Sequence, residues 1–323
     1  MPTVTLKQLL IVGATAAIMA SHAAAQPYPT KPVRLIVASA PGGAPDILGR
    51  AIAQKLAEAL GQQVVVDNRA GASGIIGAEL TARAAPDGYT LLLGATTILA
   101  ILPTLNHKLP YDAARDLAPV TLIASAANVV VVHPGVGARN IAELAKAAKA
   151  RPINFASAGN GTPAHLAGDM LNMMAGIRMA HVPYKGAGPA LTDLLAGQVQ
   201  VLITSPIAAL PHVSTGKLRL LASTGAQRNP TLPDLPTVAE TLPGYEITQW
   251  WGLNAPAGTP SAIIDRLQRE TARSLQQPDV RERLQAQGAV GVGSTPAEFG
   301  RFIASERARI AKLIQQAGIK SEQ

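Results

Sequence analysis

Short aliphatic runs alternate with amphipathic stretches of helical spacing through most of the chain, and this order constrains the fold more than any other feature. The first such pair is Val33–Ala38 followed by Asp46–Leu60, and the succession recurs as far as Ala317. Strands joined through helices form parallel sheets with right-handed crossovers. The alternation therefore predicts an α/β protein with mixed, mostly parallel sheets flanked by helices, and it excludes the all-α and all-β classes.

Hydrophobic periodicity and turn residues locate the individual elements. Strands are predicted at Val33–Ala38, Val64–Asn68, Thr90–Gly94, Asn128–His133, Asn154–Ala156, Met179–Pro183, Val199–Ile203, Leu218–Ser223 and Gly252–Ala255. Helices are predicted at Asp46–Leu60, Gly74–Ala84, Ile141–Ala150, His165–Ala175, Pro189–Ala196, Ser261–Gln276, Asp279–Gln287 and Pro296–Ala317.

The first strand runs into a glycine pair, Gly42-Gly43, directly before a helix. Glycine lets the backbone turn tightly and approach a ligand closely. The start of a helix presents unpaired N–H groups and a partial positive charge, which together suit an anion. Asp46, in the first turn, is either a helix cap or a ligand contact. Taken alone, the glycine pair is equally compatible with a simple βα turn.

A second loop of this kind follows the strand at Asn154 and contains Ser157, Gly161, Thr162 and His165. Its spacing fits the dinucleotide fingerprint G-x-G-x-x-A. That fingerprint also requires an acidic residue after the next strand. The chain has Tyr184-Lys185-Gly186 there, so the sequence argues against a bound dinucleotide and predicts no cofactor.

Three further loops carry polar groups at predicted strand ends. Arg69 lies in a glycine-rich turn, Lys185 and Gly186 lie in another, and Ser205 follows the strand that ends at Ile203. Ligands of open α/β sheets bind outside the carboxyl ends of the strands. If the chain forms more than one lobe, the loops within each lobe are therefore expected to lie at one edge of its sheet. Arg69 is as easily explained as a surface residue of a structural turn.

Two strand-like segments, Ala118–His133 and Glu246–Ala255, divide the chain without the composition of flexible tethers. If both segments cross between lobes, the first lobe is discontinuous and the second is an insertion within it. The predicted lobes are residues 26–125 with 250–323, and residues 126–249. This arrangement creates a hinge and a cleft.

The N-terminus has the pattern of an export signal, predicted to span residues 1–25. Lys7 precedes an apolar stretch of about a dozen residues, and Ala23-Ala24-Ala25 supplies a small-residue cleavage site. The sequence thus predicts a protein of the periplasm. The chain has no cysteine, and its 28 Lys and Arg residues form no basic run, which disfavours nucleic acid as a partner.

Signals for catalysis are sparse. The histidines lack the paired spacing of a zinc site, and neither a nucleophile elbow nor a P-loop is present. No metal is therefore expected. One enzymatic alternative stays open: an exported hydrolase that pairs Ser157 or Ser205 with His165.

With these loops assembled, the sequence resembles the Bug (TctC-type) family of periplasmic solute receptors, which are associated with tripartite tricarboxylate transporters. The resemblance covers the whole chain in order. It is carried by YPTKPVRLIV (Tyr28–Val37), PGGAPD (Pro41–Asp46), DNRAGASGIIGA (Asp67–Ala78), PDGYTLLLG (Pro86–Gly94), SAGNGTPAHLAG (Ser157–Gly168), VPYKG (Val182–Gly186), LPDLPTVAE (Leu232–Glu240) and WWGLNAPAGTP (Trp250–Pro260).

The resemblance implies a two-lobed, type II periplasmic-binding fold without catalysis, a monomer that delivers a small organic carboxylate to membrane transporter subunits or a sensor. By position, it implies ligand contacts from one lobe at Gly42, Gly43 and Asp46, and from the other at Ser157, Gly161, Thr162 and His165, with Lys185, Gly186 and Ser205 nearby. One segment departs from the family pattern. Many relatives resemble Phe-Asp-Asn after the strand ending at Ile203, whereas this chain has Thr204-Ser205.

Overall fold

A computed structural model describes residues 28–106, 108–286 and 288–317. The predicted export signal, residues 1–25, lies outside the described residues. Within the described parts, no helix is both long and apolar enough to cross a membrane.

Two sheets, each flanked by helices, make up the described structure. The strands are β1 Val33–Val37, β2 Val64–Asn68, β3 Thr90–Ala95, β4 Leu117–Ala127, β5 Val129–Val132, β6 Asn154–Ser157, β7 Ala180–Pro183, β8 Val201–Thr204, β9 Arg219–Ser223, β10 Thr248–Pro256 and β11 Ala289–Gly291. The α-helices are α1 Ala44–Leu60, α2 Ile75–Ala82, α3 Leu102–Leu105, α4 Ile141–Ala150, α5 Pro163–Ala175, α6 Ala187–Leu195, α7 Pro206–Ser214, α8 Ser261–Ser274, α9 Pro278–Ala286 and α10 Pro296–Ala317. A π-helical turn, Thr97–Ile101, leads into α3, and 3₁₀ turns occur at Ala72–Gly74, Pro134–Val136 and Val238–Glu240.

Both sheets are mixed, as predicted, but among the described strands they are not mostly parallel: four pairings are parallel and five are antiparallel, because β4, β5 and β10 run against their neighbours. The first has the order β11-β4-β10-β3-β1-β2, with β1 parallel to both neighbours and β10 antiparallel to β3 and β4. The second has the order β7-β6-β8-β5-β9, with β6 parallel to β7 and β8, and β5 antiparallel to β8 and β9. The segments that join the two sheets lie between β4 and β5 and directly before β10.

Helix α1 lies unusually close to β1, at Gly49. A Cβ atom at Gly49 would lie 2.8 Å from Cγ2 of Val37, so any larger residue would push the helix off the strand. Leu48 and Ile52, on either side of Gly49, are buried. The close packing fixes where α1 begins, and therefore where the Gly42-Gly43 loop lies relative to the sheet.

Thr224 connects the two segments that cross between the sheets. Its Oγ1 accepts the N–H of Asn128, between β4 and β5, at 2.9 Å and donates to the carbonyl of Ile247, before β10, at 2.6 Å. Its backbone bonds the same two residues, and Thr224 is fully buried. The crossings at Asn128 and Ile247 lie near the predicted lobe boundaries, which stay a prediction.

We expect Thr224→Val to lower the free energy of unfolding by about 2 kcal/mol, because it leaves a buried N–H and a buried carbonyl without their side-chain partner. Thr224→Ser is the control, since it keeps the hydroxyl and removes only a methyl group. Urea titration followed by circular dichroism measures both variants. Equal losses in the two variants would contradict a role for the hydroxyl.

Candidate ligand-binding cleft

A cavity of about 540 Å³ opens between the two sheets. Its walls are formed where β1, β3, β6 and β8 end, together with the start of β10. The polar side chains that line it are Thr96, Thr97, Asn128, Thr162, Thr204, Ser205 and Gln249, and the larger apolar ones are Ile47, Ile203, Trp250 and Trp251. None of the described lining residues carries a charge.

The carboxylate of Asp46 stabilises the Gly42-Gly43 loop, and Asp46 itself does not line the cavity. Its carboxylate accepts the N–H of Gly42 at 2.9 Å, the amide of Asn68 at 3.0 Å and the guanidinium of Arg50 at 3.1 Å. Burial raises the pKa of this carboxyl, but the bonds from Arg50, Gly42 and Asn68 outweigh burial and leave the pKa below its usual range. Because Gly42 has φ +83°, the loop depends on glycine at that position.

Thr162 closes the equivalent loop of the second sheet. Its Oγ1 accepts the N–H of His165 at 3.3 Å as a helix cap and donates to the carbonyl of Gly159 at 2.8 Å. The N–H of Gly161 donates to Nδ1 of His165 at 3.2 Å. These bonds fold the loop back on the start of α5 and hold it against the cavity.

Four helices of nine residues or more begin at the cavity wall: α1, α5, α6 and α7. The first four N–H groups of a helix lack partners within it. At α1, α6 and α7 the capping residues Gly43, Gly186 and Ser205 make no side-chain cap bond. Each helix start contributes a partial positive charge to a wall whose side chains are neutral, and at α1 the carboxylate of Asp46 in the first turn offsets part of this charge.

Of the ten residues predicted to contact a ligand, four line the cavity: Gly42, Gly43, Thr162 and Ser205. The other six lie outside its lining: Asp46, Ser157, Gly161, His165, Lys185 and Gly186. Asp46, Gly161 and His165 bond within their loops, Gly186 precedes α6, and the Lys185 side chain is exposed. Direct ligand contact by any of the ten residues stays a prediction.

Sequence reasoning missed Asn128, Gln249 and the two tryptophans as cavity residues. Trp250 and Trp251 belong to a predicted crossing segment and to a family motif, but neither identifies them as cavity residues, and Asn128 was predicted as the first residue of a strand. Each of these residues lies in a segment that was predicted to cross between the lobes. Such segments form the floor of a cleft, and this position could have identified the residues.

Two stacked imidazoles lie behind the loop of the second sheet. The rings of His165 and His181 are 3.9 Å apart, and Nε2 of His181 lies 2.7 Å from Oγ of Ser157. Nε2 of His165 lies 3.1 Å from the carboxylate of Asp169. Ser157 is fully buried and pairs with His181, whereas the hydrolase alternative required it to pair with His165.

The pKa of His181 is lowered to about 4, mainly by burial and also by the neighbouring His165, against a smaller opposing effect of Asp169. The unfolded chain, with an ordinary histidine pKa near 6.5, therefore binds more protons than the folded one between pH 6.5 and 4. The contribution of His181 to stability is full above pH 6.5 and falls as the pH drops towards 4.

We expect the wild-type protein to lose about 2 kcal/mol more of its free energy of unfolding than His181→Gln between pH 7 and pH 4.5, after allowance for the partial exposure of His181. Glutamine keeps a polar partner for Ser157 but does not titrate. Urea titrations at both pH values measure the difference. Parallel pH profiles for the two proteins would show that His181 does not carry the effect.

The comparisons with known proteins converge on one family. The family model described as "Tripartite tricarboxylate transporter family receptor" matches residues 48–319. The protein BugT of Bordetella pertussis is 39% identical over 319 residues, which cover 97% of this chain and 98% of BugT.

Solved structures agree with this assignment. Rpa4515 of R. palustris, solved with adipate, has a TM-score of 0.84 and 37% identity over 91% of this chain and 99% of its own. The periplasmic binding protein BugD has a TM-score of 0.81 and 33% identity over 91% of this chain and 100% of its own. MatC of Rhodopseudomonas palustris, with bound malate, has a TM-score of 0.80 and 31% identity over 89% of this chain and 100% of its own. The predicted two-lobed periplasmic-binding fold is thereby confirmed.

Proposed function

The chain belongs to the tripartite tricarboxylate transporter receptor (TctC) family of solute-binding receptors, and we propose that it captures a small organic carboxylate in the cleft between its lobes. The similar proteins solved with adipate and malate support a carboxylate. The observation that carries the proposal is the convergence of four helix starts on one cavity with neutral side chains. Backbone N–H groups and helix dipoles can hold a carboxylate without a cationic side chain.

The two glycine loops face the cavity from opposite lobes. Gly42 and Gly43 present the start of α1, and Thr162 presents the start of α5. We assign direct ligand contact to these loops and to Ser205. Four other residues fix the geometry of these loops without contacting the ligand: Asp46, Ser157, Gly161 and His165. Lys185 and Gly186 lie beside the cleft.

Ligand binding is coupled to closure of the lobes about the crossings at Asn128 and Ile247, with residues 26–125 and 250–323 in one lobe and residues 126–249 in the other. A ligand that contacts both loops binds the closed form better than the open form and shifts the population towards it. Membrane subunits of a tripartite transporter, or a sensor, then recognise the closed form. The protein acts as a monomer in the periplasm and performs no catalysis.

A thermal-shift screen over mono-, di- and tricarboxylates, with the corresponding neutral amides as controls, tests the proposed function. At least one carboxylate is expected to raise the melting temperature, and its fully amidated counterpart to leave the temperature unchanged. Stabilisation by the amides alone would contradict a carboxylate site. Mass spectrometry of the released ligand distinguishes a receptor from a hydrolase, since a receptor returns it unaltered.

Small-angle scattering tests closure. Addition of a carboxylate shown to bind by calorimetry is expected to reduce the radius of gyration, because the lobes approach each other around it. An unchanged radius at saturation would argue against a hinged receptor.

A further inference from the structure

Two buried polar side chains of the cavity lining, Asn128 and Thr204, make no side-chain hydrogen bond within the described structure. We infer that Asn128 and Thr204 form a second subsite, which reads an uncharged hydroxyl or amide at the far end of the ligand, and that Asn128 is a specificity-determining residue. This inference rests on the proposed function, because it describes the rest of the molecule to which the carboxylate is attached.

Asn128 is 3% exposed and borders the cavity. Its backbone N–H and carbonyl both bond Thr224, which fixes the residue at the crossing. Among the described residues, its carboxamide has no hydrogen-bond partner, although a carboxamide can donate two hydrogen bonds and accept two. Because the carboxamide borders the cavity, a ligand group that matches it can take the place of the water that bonds it in the empty protein.

Thr204 lies beside Asn128 for reasons of strand pairing. Strand β8 is antiparallel to β5, and Thr204 is directly opposite Val129, the residue that follows Asn128. Thr204 is 5% exposed, it borders the cavity, and its hydroxyl has no partner among the described residues. The register therefore places Asn128 and Thr204 at adjacent positions of paired backbone segments, and both residues line the cavity.

The chemistry of these groups favours an uncharged ligand group. A carboxamide and a hydroxyl each donate and accept hydrogen bonds. A ligand hydroxyl or amide also does both, so it can bond donor and acceptor atoms of these side chains at once. A carboxylate only accepts, so it would leave the acceptor atoms of the floor unpaired and place its charge beside the carbonyl oxygen of Asn128.

The apolar wall completes the ligand description. Ile47 is partly exposed and lines the cavity together with several alanines, so these side chains offer contact to a hydrocarbon segment. The ligand class is a small acid with a carboxylate, an apolar middle and a terminal hydroxyl or amide.

Isothermal titration calorimetry with two matched series tests the inference. The four-carbon series is butanoate, 4-hydroxybutanoate, succinamate and succinate, and the six-carbon series is hexanoate, 6-hydroxyhexanoate, adipamate and adipate. In at least one series the hydroxyl- or amide-terminated acid is expected to bind wild type about tenfold tighter than the plain acid, the usual value of one recovered hydrogen bond. Asn128→Ala and Thr204→Val are expected to remove this advantage and to leave the Kd of the plain acid within about twofold.

Ser223→Ala is the matched control for Thr204→Val. Ser223 is also a buried hydroxyl without a partner in the described structure, on a strand of the same sheet, but it does not line the cavity. Its replacement is expected to change none of the affinities. Melting temperatures of the ligand-free variants verify that they fold, and Thr204→Val, which keeps the side-chain shape, tests the subsite if Asn128→Ala is unstable.

Three results would overturn the inference. One is an equal loss of affinity for the plain and the substituted acids in both variants, which would indicate a structural role only. Another is tightest binding of the dicarboxylate with a loss in Asn128→Ala, which would make the floor a site for charge. The third is an advantage of the substituted acid that survives both variants. If no carboxylate of the wider screen binds at all, the proposed function itself fails.

Discussion

Replacement of Gly43 by leucine is expected to weaken carboxylate binding at least 100-fold while leaving the fold intact. Gly43 caps α1 and lines the cavity, so a leucine side chain would occupy the volume in front of the helix start and cover its N–H groups. The backbone tolerates the change, since φ is −78° and a Cβ would have only ordinary contacts, at 3.6 Å to Pro45 and 3.7 Å to the carbonyl of Ala40. Calorimetry with the best ligand of the carboxylate screen measures the loss, which corresponds to about 3 kcal/mol.

Ala59→Leu provides the matched control. It adds a leucine to the same helix at an exposed position near the far end, and we expect an unchanged affinity and melting temperature. Wild-type affinity in Gly43→Leu would remove the first-lobe loop from the binding site. Thr162→Val is a weaker test, because Thr162 also holds its own loop through Gly159 and His165, and its loss would mix folding with binding.

Replacement of Trp250 by alanine is expected to lower the free energy of unfolding by about 3–5 kcal/mol, as for other fully buried aromatic residues. Trp250 is fully buried, and its ring meets Phe299 and Phe302 edge-on, with centroid distances of 6.0 and 5.2 Å. Its Nε1–H donates to the buried carboxylate of Glu306 at 3.2 Å. Alanine leaves a cavity and removes one of the bonds to that carboxylate.

Trp250→Phe separates these two contributions. It keeps most of the ring volume but removes the N–H, so we expect a smaller loss of about 1–2 kcal/mol. Urea unfolding followed by circular dichroism is the appropriate measurement, because the chain has only two tryptophans to report by fluorescence. A loss below 1 kcal/mol in Trp250→Ala would show that the neighbouring helix α10 is not anchored through this residue.

Local sequence patterns were sufficient for the elements that depend on local chemistry. Helices α4 and α10 have the bounds read from the sequence, Ile141–Ala150 and Pro296–Ala317, because clear periodicity and terminal signals coincide there. The same holds for strand β2, Val64–Asn68. The strand-to-helix alternation also predicted two mixed sheets correctly.

Elements that depend on distant partners were missed. Strand β11 is three residues long and exists through pairing with β4, more than 160 residues earlier. Helix α7 contains Pro211, which argues locally against a helix, and the apolar run Thr97–Leu105 has no periodicity that separates helix from strand. Tertiary packing determines all three.

The candidate site also combines residues that local sequence patterns reveal with residues that only the fold brings together. Glycine loops at helix starts are visible in the sequence, and Gly42, Gly43 and Thr162 line the cavity. The internal partners of Asp46 and His165 are not visible, because they depend on the path of a folded loop. Asn128 and Thr204 become neighbours only through the register of β5 and β8.

The neutral wall of the cavity has an evolutionary consequence. Apart from the prolines in the first turns of α1, α5, α6 and α7, which have no N–H, the peptide N–H groups at the helix starts do not depend on which side chains line the cavity. Mutations at Asn128, Thr204 or Gln249 can therefore change the size and polarity of the cavity without removing the groups that hold the acid. After gene duplication, one copy of such a receptor can therefore evolve to bind a different carboxylate through a few substitutions at these residues. The helix starts continue to bind the carboxylate group.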